Sequence, residues 1–214
     1  MKILAHRGVW EKPEEKNTRK AIQRAIEEGF GIETDLRDCR GELFVSHDPA
    51  NGEEMTVDEL LSICAVSEAP IALNIKADGI QKMISAALKK QPVKDYFFFD
   101  MSNPEMVLYK KFGMPYFTRQ SDIEKECVLY EDALGVWVDG FITSEWIDET
   151  ILRKHLDAGK RVSIISDEIH GRDNTRLWSI LQKSGLSAEK MLLLCTDEPI
   201  KARRFFGSSK RDDQ

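Results

Sequence analysis

The sequence predicts an α/β fold made of a single (β/α)8 barrel, the TIM barrel. Short strand-like runs alternate with helix-like runs along the chain, and this alternation implies a parallel sheet. Eight main strand–helix units fit into 214 residues, which is near the short end of the size range for a closed barrel. An open doubly wound sheet is the rival arrangement, but no glycine-rich nucleotide loop follows the first strand.

The eight main strands are short runs of apolar residues bounded by polar or turn-forming residues. They are predicted at 2–8, 31–39, 71–76, 96–101, 116–119, 136–142, 161–166 and 191–196. A further extended piece at 42–48 follows the second strand through Arg40 and Gly41, a pair typical of a tight hairpin. We therefore predict that this piece is paired to the barrel but is not one of its eight main strands.

A helix is predicted after each main strand. The first has apolar residues at helical spacing (Ala21, Ile22, Ala25 and Ile26), and the second begins with Thr56 and Glu59 in the pattern of a capping box. The predicted helices cover 17–28, 56–64, 79–90, 104–112, 127–134, 148–158, 175–182 and 199–206. The barrel is expected to occupy residues 1–207, followed by a disordered tail at 208–214.

Composition limits the classes of function. The formal net charge of −6 and the pI of about 5.4 argue against a non-specific nucleic-acid binder, although a local basic pocket remains possible. The first residues do not resemble a signal peptide, and no apolar run is long enough to span a membrane. The four cysteines are scattered without CxxC spacing, which favours a reduced, cytoplasmic protein.

Two carboxylates in the second strand predict a metal site. Glu33 and Asp35 are two residues apart and so share one face of the strand. On the inward face of a barrel that arrangement is costly unless a cation lies between them, and oxygen ligands favour Mg²⁺ or Ca²⁺. Asn74 and Lys76 share a face of the third main strand in the same way. The alternative is that Glu33 and Asp35 are solvated charges on an edge strand.

Two histidines are the candidates for acid–base chemistry. His6 closes the first strand and His47 closes the hairpin piece, each among polar neighbours. The pKa of histidine lies near neutral pH, so two histidines beside a bound cation suit proton transfer on a phosphate ester.

The motifs AHRG, NT, ETDLR and LFVSHD, in that order, and LCTDEP near the end resemble the glycerophosphodiester phosphodiesterase family and its wider phospholipase C-like superfamily. The likeness covers nearly the whole chain and is most specific between residues 5 and 49. It implies a phosphoric diester hydrolase in lipid metabolism that acts on a small-molecule phosphodiester with one divalent cation, Mg²⁺ or Ca²⁺.

The resemblance also implies roles for individual residues. His6 would be the base and His47 the acid, with Glu33, Asp35 and Asn74 as metal ligands and Arg7 and Lys76 at the phosphate. A hydroxyl of the substrate would attack phosphorus, giving a cyclic phosphate that water can open. Arg119, after the fifth strand, is a further candidate phosphate contact, with a surface salt bridge as its alternative.

The chain departs from the family pattern in three places. Lys16 stands where the family has the glutamate of ENT, and Asn74 replaces the third acidic ligand, which predicts weaker metal binding. Asp100 is a candidate to compensate, or else a strand-end cap. The subdomain that the family inserts after the HD motif is absent, which predicts an open site and admits larger substrates such as lipid headgroups or sugar-linked phosphodiesters.

Residues after the later strands are expected to shape specificity. Asp167, Glu168 and His170 follow the seventh main strand, where family members carry a tryptophan motif, and they favour a hydroxyl-rich substrate. His155 is expected to be solvated on an outer helix face. Two alternatives to the hydrolase stay open: a lyase that stops at the cyclic phosphate, and a barrel that binds phosphorylated ligands without catalysis.

Overall fold

The computed structural model describes residues 1–207; the predicted tail at 208–214 lies outside the described residues. Within residues 1–207, nine strands form one sheet. Their bounds are β1 Lys2–His6, β2 Gly31–Cys39, β3 Glu42–Val45, β4 Ile71–Ile75, β5 Tyr96–Phe99, β6 Phe117–Ser121, β7 Gly135–Asp139, β8 Arg161–Ile165 and β9 Leu192–Thr196.

Eight of these strands are parallel and run in the order β5-β4-β2-β1-β9-β8-β7-β6. The barrel closes between β5 and β6 through one isolated bridge, Phe98 to Tyr116, and the backbone N–H of Phe98 donates to the Pro115 carbonyl at 2.9 Å. Strand β3 pairs antiparallel with β2, and its Phe44 forms an isolated antiparallel bridge with Thr56. The predicted barrel is therefore confirmed as a nearly closed one, and the hairpin piece lies outside it.

The barrel interior is a packed core. Alternate residues of the parallel strands meet there, because successive side chains of a strand point to opposite faces. The buried side chains of this inner cluster are Leu4, Ala72, Phe97, Phe99, Phe117, Trp137, Ile165, Leu193 and Cys195. Phe97 stacks on Phe117 and Phe99 on Trp137, each with ring centroids 3.7 Å apart. These rings fill the lower barrel, below the polar residues at its C-terminal end.

Seven α-helices surround the sheet in residues 1–207. They are α1 Arg19–Glu27, α2 Val57–Cys64, α3 Gln81–Lys90, α4 Asn103–Lys111, α5 Glu149–Asp157, α6 Thr175–Lys183 and α7 Pro199–Gly207. The predicted capping box of Thr56 and Glu59 is present at the start of α2. No helix in the described part of the chain is long and apolar enough to cross a membrane.

The prediction of a helix after every main strand is wrong at one place. Only a 3-10 turn, Tyr130–Asp132, follows β6. Leu129 before it has a left-handed backbone (φ 51°), which a continuous helix does not accept. The connection begins with a turn. The Ser121 N–H donates to the Glu124 carbonyl, and the Ser121 hydroxyl accepts from the Glu124 N–H.

His155 fills part of the space that this missing helix leaves, so the expectation that it is solvated is wrong. Only 2% of the residue is exposed. Its Nε2 lies 2.8 Å from the Gln120 amide oxygen, and its Nδ1 lies 3.0 Å from the Tyr130 hydroxyl. Burial lowers the pKa of His155 to about 4, so the ring is neutral at physiological pH.

Candidate active site at the barrel mouth

The register of three neighbouring strands brings the predicted site residues together. His6 on β1 is paired with Glu33 on β2, and Asp35 on β2 is paired with Asn74 on β4. These four residues lie at the C-terminal ends of parallel strands, where barrel active sites are built. Glu33 and Asp35 are both buried, so the alternative of solvated edge charges is wrong.

Each of the two carboxylates has a different set of neighbours. The Asn74 amide donates to Glu33 Oε1 at 3.4 Å, and His6 Nε2 lies 3.7 Å from Glu33 Oε2. Asp35 is held by cations. Arg7 Nε is 2.9 Å from Asp35 Oδ2, and Lys76 Nζ is 3.6 Å from Asp35 Oδ1. The Arg7 contact is an ion pair without a hydrogen bond, because the N–H does not point at the oxygen.

Three oxygens of this cluster lack a hydrogen-bond donor among residues 1–207: Glu33 Oε2, Asp35 Oδ1 and Asn74 Oδ1. All three are buried, and an unsatisfied buried oxygen is costly. One carboxylate oxygen from each acid and one amide oxygen form a donor set typical of Mg²⁺ or Ca²⁺. No group of three or more His, Cys, Asp or Glu side chains in the described chain is arranged to hold a metal, so the set depends on the amide of Asn74.

Electrostatics agree with this fit. Burial raises the pKa of Glu33 well above its usual value, and the negative charge of Asp35 raises it further. A positive ion between the two carboxylates would favour their ionised forms and remove this penalty.

His6 is oriented by Asp197, a residue to which the sequence assigned no role. His6 Nδ1 lies 2.6 Å from Asp197 Oδ1, which directs Nε2 toward Glu33. Lys16 donates to the other oxygen of Asp197 at 3.2 Å. Lys16, which stands where the motif ENT has its glutamate, is therefore paired with Asp197. The motif LCTDEP includes Asp197, but nothing in the sequence indicated that this residue contacts His6, because 191 positions separate the two.

The pKa of the pair follows from burial and mutual attraction. Burial lowers the pKa of His6, and the contact with Asp197 only partly opposes it. Burial acts to raise the pKa of Asp197, but the contacts with His6 and Lys16 outweigh it, so that pKa is lowered. At neutral pH His6 is accordingly a neutral ring beside an ionised carboxylate, with Nε2 free to accept a proton.

The turn after β1 fixes the position of Arg7. Arg7 and Asn17 both have left-handed backbones (φ 57° and 60°), and the N–H of Asn17 donates to the Arg7 carbonyl at 2.9 Å. A Cβ at Gly8 would lie 2.6 Å from the backbone carbon of Ala21, so only glycine fits there. The Asn17 amide also donates to Asp35 Oδ2 at 2.9 Å, which explains the NT motif.

His47 lies on the loop after β3. Its side chain is 48% exposed, and its Nδ1 is 2.9 Å from Asp48 Oδ1. It lines a cavity of about 590 Å³ together with Arg7, Lys16 and Asn17. The structure therefore places the two predicted catalytic histidines differently, with His6 buried in the barrel mouth and His47 on the open rim.

Arg119 and Asp100 lie next to the carboxylate cluster on the side of β5 and β6. Asp100 accepts from Arg119 Nη1 at 2.7 Å and from the Asn74 amide at 3.2 Å, and Lys76 Nζ lies 3.9 Å away. Burial raises the pKa of Asp100, and the charges of Arg119 and Lys76 oppose this. Arg119 also pairs with Glu124. Asp100 thus contacts the amide of Asn74 and is more than a strand-end cap.

Of the three polar residues after β8, two have structural roles. Glu168 accepts hydrogen bonds from Thr196 and from the backbone N–H of Asp197. Asp167 accepts from Ser144 at 2.8 Å and pairs with Arg172. The third, His170, is paired through its Nε2 with Asp139 Oδ1 at 2.7 Å.

Comparison with known proteins identifies no relative by sequence: no family model and no curated protein matches the chain. Solved structures do match in fold. A glycerophosphodiester phosphodiesterase from Parabacteroides distasonis is 15% identical with a TM-score of 0.68, and the match covers 98% of each chain. A phosphodiesterase from Oleispira antarctica, solved with the product sn-glycerol-3-phosphate, is 15% identical with a TM-score of 0.72 over 97% of each chain.

A more distant match is a Ca²⁺-dependent phosphatidylinositol-specific phospholipase C from Streptomyces antibioticus. It is 11% identical with a TM-score of 0.53, over 94% of this chain and 96% of that one. At these levels of identity the likenesses establish the barrel fold.

Proposed function

We propose that this protein is a phosphodiester hydrolase that uses one divalent cation and histidine acid–base catalysis. Its substrate would be a glycerophosphodiester or a larger diester linked to an alcohol or sugar. The observation that carries the proposal is the trio of buried oxygens without donors, on Glu33, Asp35 and Asn74, beside the oriented ring of His6. The names of the structural neighbours, which include two phosphodiesterases and a phospholipase C, support the same reaction class.

Glu33, Asp35 and Asn74 would hold the cation, either Mg²⁺ or Ca²⁺. When bound, such an ion neutralises negative charge on the phosphate. Arg7 and Lys76 would add positive charge at the same place, since both side chains are partly exposed and keep N–H groups beyond those that face Asp35.

His6 would act as the base. Its neutral Nε2 accepts a proton from an attacking hydroxyl, while Asp197 holds the ring and stabilises the imidazolium that forms. If the attacking group is a hydroxyl of the substrate, its oxygen bonds to phosphorus as the bond to the leaving oxygen breaks, and a cyclic phosphate results. Water then opens that ring with the proton transfers reversed.

His47 would act as the acid that protonates the leaving oxygen. Its place on the rim of the cavity that Arg7 also lines is compatible with this role. Arg119, held by Asp100 and Glu124, is better suited to the side of the mouth away from the phosphate.

The test is hydrolysis of bis-p-nitrophenyl phosphate and of glycerophosphodiesters, in EDTA and with added Mg²⁺, Ca²⁺ or Mn²⁺. Metal-dependent turnover that Glu33→Ala and His6→Ala abolish is expected. Asp38→Ala, which removes an exposed carboxylate of the strand that carries Glu33 and Asp35, keeps most of that turnover. Turnover in EDTA, or turnover that survives in His6→Ala, would contradict the proposal.

Phosphorus NMR of the products separates hydrolysis from release of the cyclic phosphate. A monoester as the final product is expected for the hydrolase. A cyclic phosphate that accumulates and persists identifies a lyase instead. Binding of phosphorylated ligands without turnover of any diester identifies a barrel that has no catalytic activity.

A further inference from the structure

A second group of polar side chains lines the half of the barrel mouth formed by β6, β7 and β8. Asp139 ends β7 at an inward position, two residues after Trp137 of the inner core, and it is 6% exposed. His170 belongs to the 3-10 turn after β8, and its Nε2 lies 2.7 Å from Asp139 Oδ1. Neither residue takes part in the proposed cation chemistry.

An aromatic ring joins this pair to Arg119. The Phe141 ring centroid lies 5.3 Å from the Arg119 guanidinium carbon and 5.8 Å from the ring of His170, which it meets edge to face. We call Arg119, Asp139, Phe141 and His170 the polar ledge. It contains a cation, an anion, an imidazole and an apolar ring within one contiguous surface.

The loop that carries Phe141 is fixed by hydrogen bonds. The Asp122 carboxylate accepts from the backbone N–H groups of residues 141–143, at 2.9, 2.7 and 3.0 Å. Arg172 donates to the Gly140 and Phe141 carbonyls. Because both neighbouring connections hold this loop, the ring is positioned before any ligand arrives, which favours binding.

The polar ledge begins where the cation site ends. Asp100 accepts from Asn74 of that site at 3.2 Å and from Arg119 of the ledge at 2.7 Å. A substituent on a phosphate bound at the cation site would therefore extend over the ledge.

The ledge retains capacity for hydrogen bonds. Within residues 1–207, no protein partner is seen for Arg119 Nη2, Asp139 Oδ2 or His170 Nδ1. These are a donor, an acceptor and a group that can be either. A hydroxyl both donates and accepts, so several hydroxyls on one ligand would satisfy all three, and an aromatic ring suits the C–H face of a sugar.

Other ligand classes fit less well. A cationic headgroup would meet Arg119, and an anionic one would meet Asp139. An alkyl chain would strip water from these groups without replacing its hydrogen bonds, which is costly. The charge balance of the ledge favours a neutral, polyhydroxylated group.

We propose that the polar ledge binds the leaving alcohol of the substrate and that this alcohol is a sugar or similar polyol. This inference rests on the proposed phosphodiesterase function, because it assigns the other half of the same site. His170, Asp139 and Arg119 hydrogen-bond the hydroxyls, and Phe141 packs against the ring.

The experiment compares two diesters of glycerol 3-phosphate, one with the 6-hydroxyl of glucose and one with 1-propanol. They share the phosphate and the glycerol and differ in the leaving group, which is a polyhydroxylated ring in one diester and a short alkyl chain in the other. The wild-type kcat/KM is expected to be at least about 10-fold higher for the glucose diester, since each hydrogen bond to a charged group contributes a factor of several. His170→Ala and Asp139→Asn should reduce that ratio to below about 3.

A second test variant and a control variant complete the experiment. Phe141→Leu removes the ring without unpairing a buried charge, so it tests the ledge even if His170→Ala does not fold. Ile142→Ala changes the neighbouring residue, whose side chain is 76% exposed and whose backbone bond to Asp122 is retained. The control Ile142→Ala should keep the wild-type ratio. A wild-type ratio near 1, or variants that slow both diesters equally, would overturn the proposal.

Binding in EDTA, measured by NMR titration of each diester, separates this proposal from the proposed function. If neither diester is hydrolysed but the glucose diester binds more tightly and loses that advantage in Phe141→Leu, the ledge is supported and the catalytic proposal fails. Equal binding of the two diesters to the wild type refutes the ledge whatever the enzyme does.

Discussion

Asn74→Asp converts the amide at the centre of the mouth into a third carboxylate. In the wild type, the Asn74 amide donates to Glu33 Oε1 at 3.4 Å and to Asp100 Oδ2 at 3.2 Å. The substitution replaces two attractive contacts by two repulsions between carboxylates, and it adds one negative charge to the proposed cation site. We therefore expect opposite effects on the metal-free and metal-bound protein.

The size of both effects follows from the distances. Two unit charges about 4 Å apart interact by about 4 kcal/mol at an effective dielectric constant of 20. Protonation of one carboxyl relieves part of this repulsion, so we expect the metal-free variant to lose about 3 kcal/mol of unfolding free energy at pH 8. For a chain of this size that lowers Tm by roughly 6–12 °C. With the added charge, the Kd for Mg²⁺ or Ca²⁺ should fall by at least about 10-fold.

The assay is thermal denaturation at pH 8 and pH 5, in EDTA and with saturating metal, together with calorimetric titration of the cation. The loss of Tm in EDTA should be larger at pH 8 than at pH 5, where more of the carboxyls are protonated, and metal should reverse it. Asn51→Asp, at an exposed loop position, is the matched control and should change neither quantity. A variant as stable in EDTA as the wild type, with unchanged metal affinity, would refute the assignment of Asn74 as a ligand.

Three further changes test other parts of the molecule. Asp197→Asn should lower kcat by about 100-fold or more with little change in KM, because His6 loses its orienting anion. The pKa of His155 is about 4 in the folded protein against a usual 6.5, so His155 is protonated at a higher pH in the unfolded chain than in the folded one. The free energy of unfolding should therefore fall by about 2 kcal/mol, after allowance for screening, as the pH drops from about 6.5 to about 4. Gly8→Ala should lower Tm, since its Cβ would clash with Ala21 and its φ of 92° is strained, at a cost of about 3 kcal/mol.

Each change is accompanied by a control or by an outcome that would contradict it. An Asp197→Asn enzyme with full kcat would show that the ring of His6 needs no carboxylate. The loss of stability between pH 6.5 and 4 should be smaller in His155→Gln, and an identical pH profile would assign the loss to other groups. Gly29→Ala, at a glycine with a similar φ of 76° but open space around its Cβ, isolates the clash at Gly8 from backbone strain alone.

The sequence predicted the parts of the fold that depend on local periodicity. The eight main strands, the hairpin piece and seven of the helices follow from apolar spacing and turn residues, and the structure confirms them. The connection after β6 was mispredicted because its composition suits a helix. Hydrogen bonds around Ser121 and the left-handed backbone of Leu129 determine the conformation of this connection. Neither feature can be predicted from the spacing of apolar residues.

The site was predictable where its residues share a strand or a short motif. Glu33 and Asp35 follow from two-residue spacing and Asn74 from its register against Asp35. Asp197 was missed as the partner of His6 because the pairing of β1 with β9 brings together distant segments. The polar ledge was hidden for the same reason: Arg119 and His170 come from different strand ends.

The weak closure between β5 and β6 has a consequence for chain connectivity. One isolated bridge, at Phe98 and Tyr116, joins these strands, and the ion pair of Asp100 with Arg119 spans the same gap at the mouth. At the opposite end, Met1 and Arg203 line one cavity, so residues near the two ends of the described chain lie close together. A circular permutant that links those ends and opens the chain between β5 and β6 would break few sheet contacts. Among the amides of the eight barrel strands, hydrogen exchange should likewise be fastest in β5 and β6, because the barrel opens most easily between these two strands.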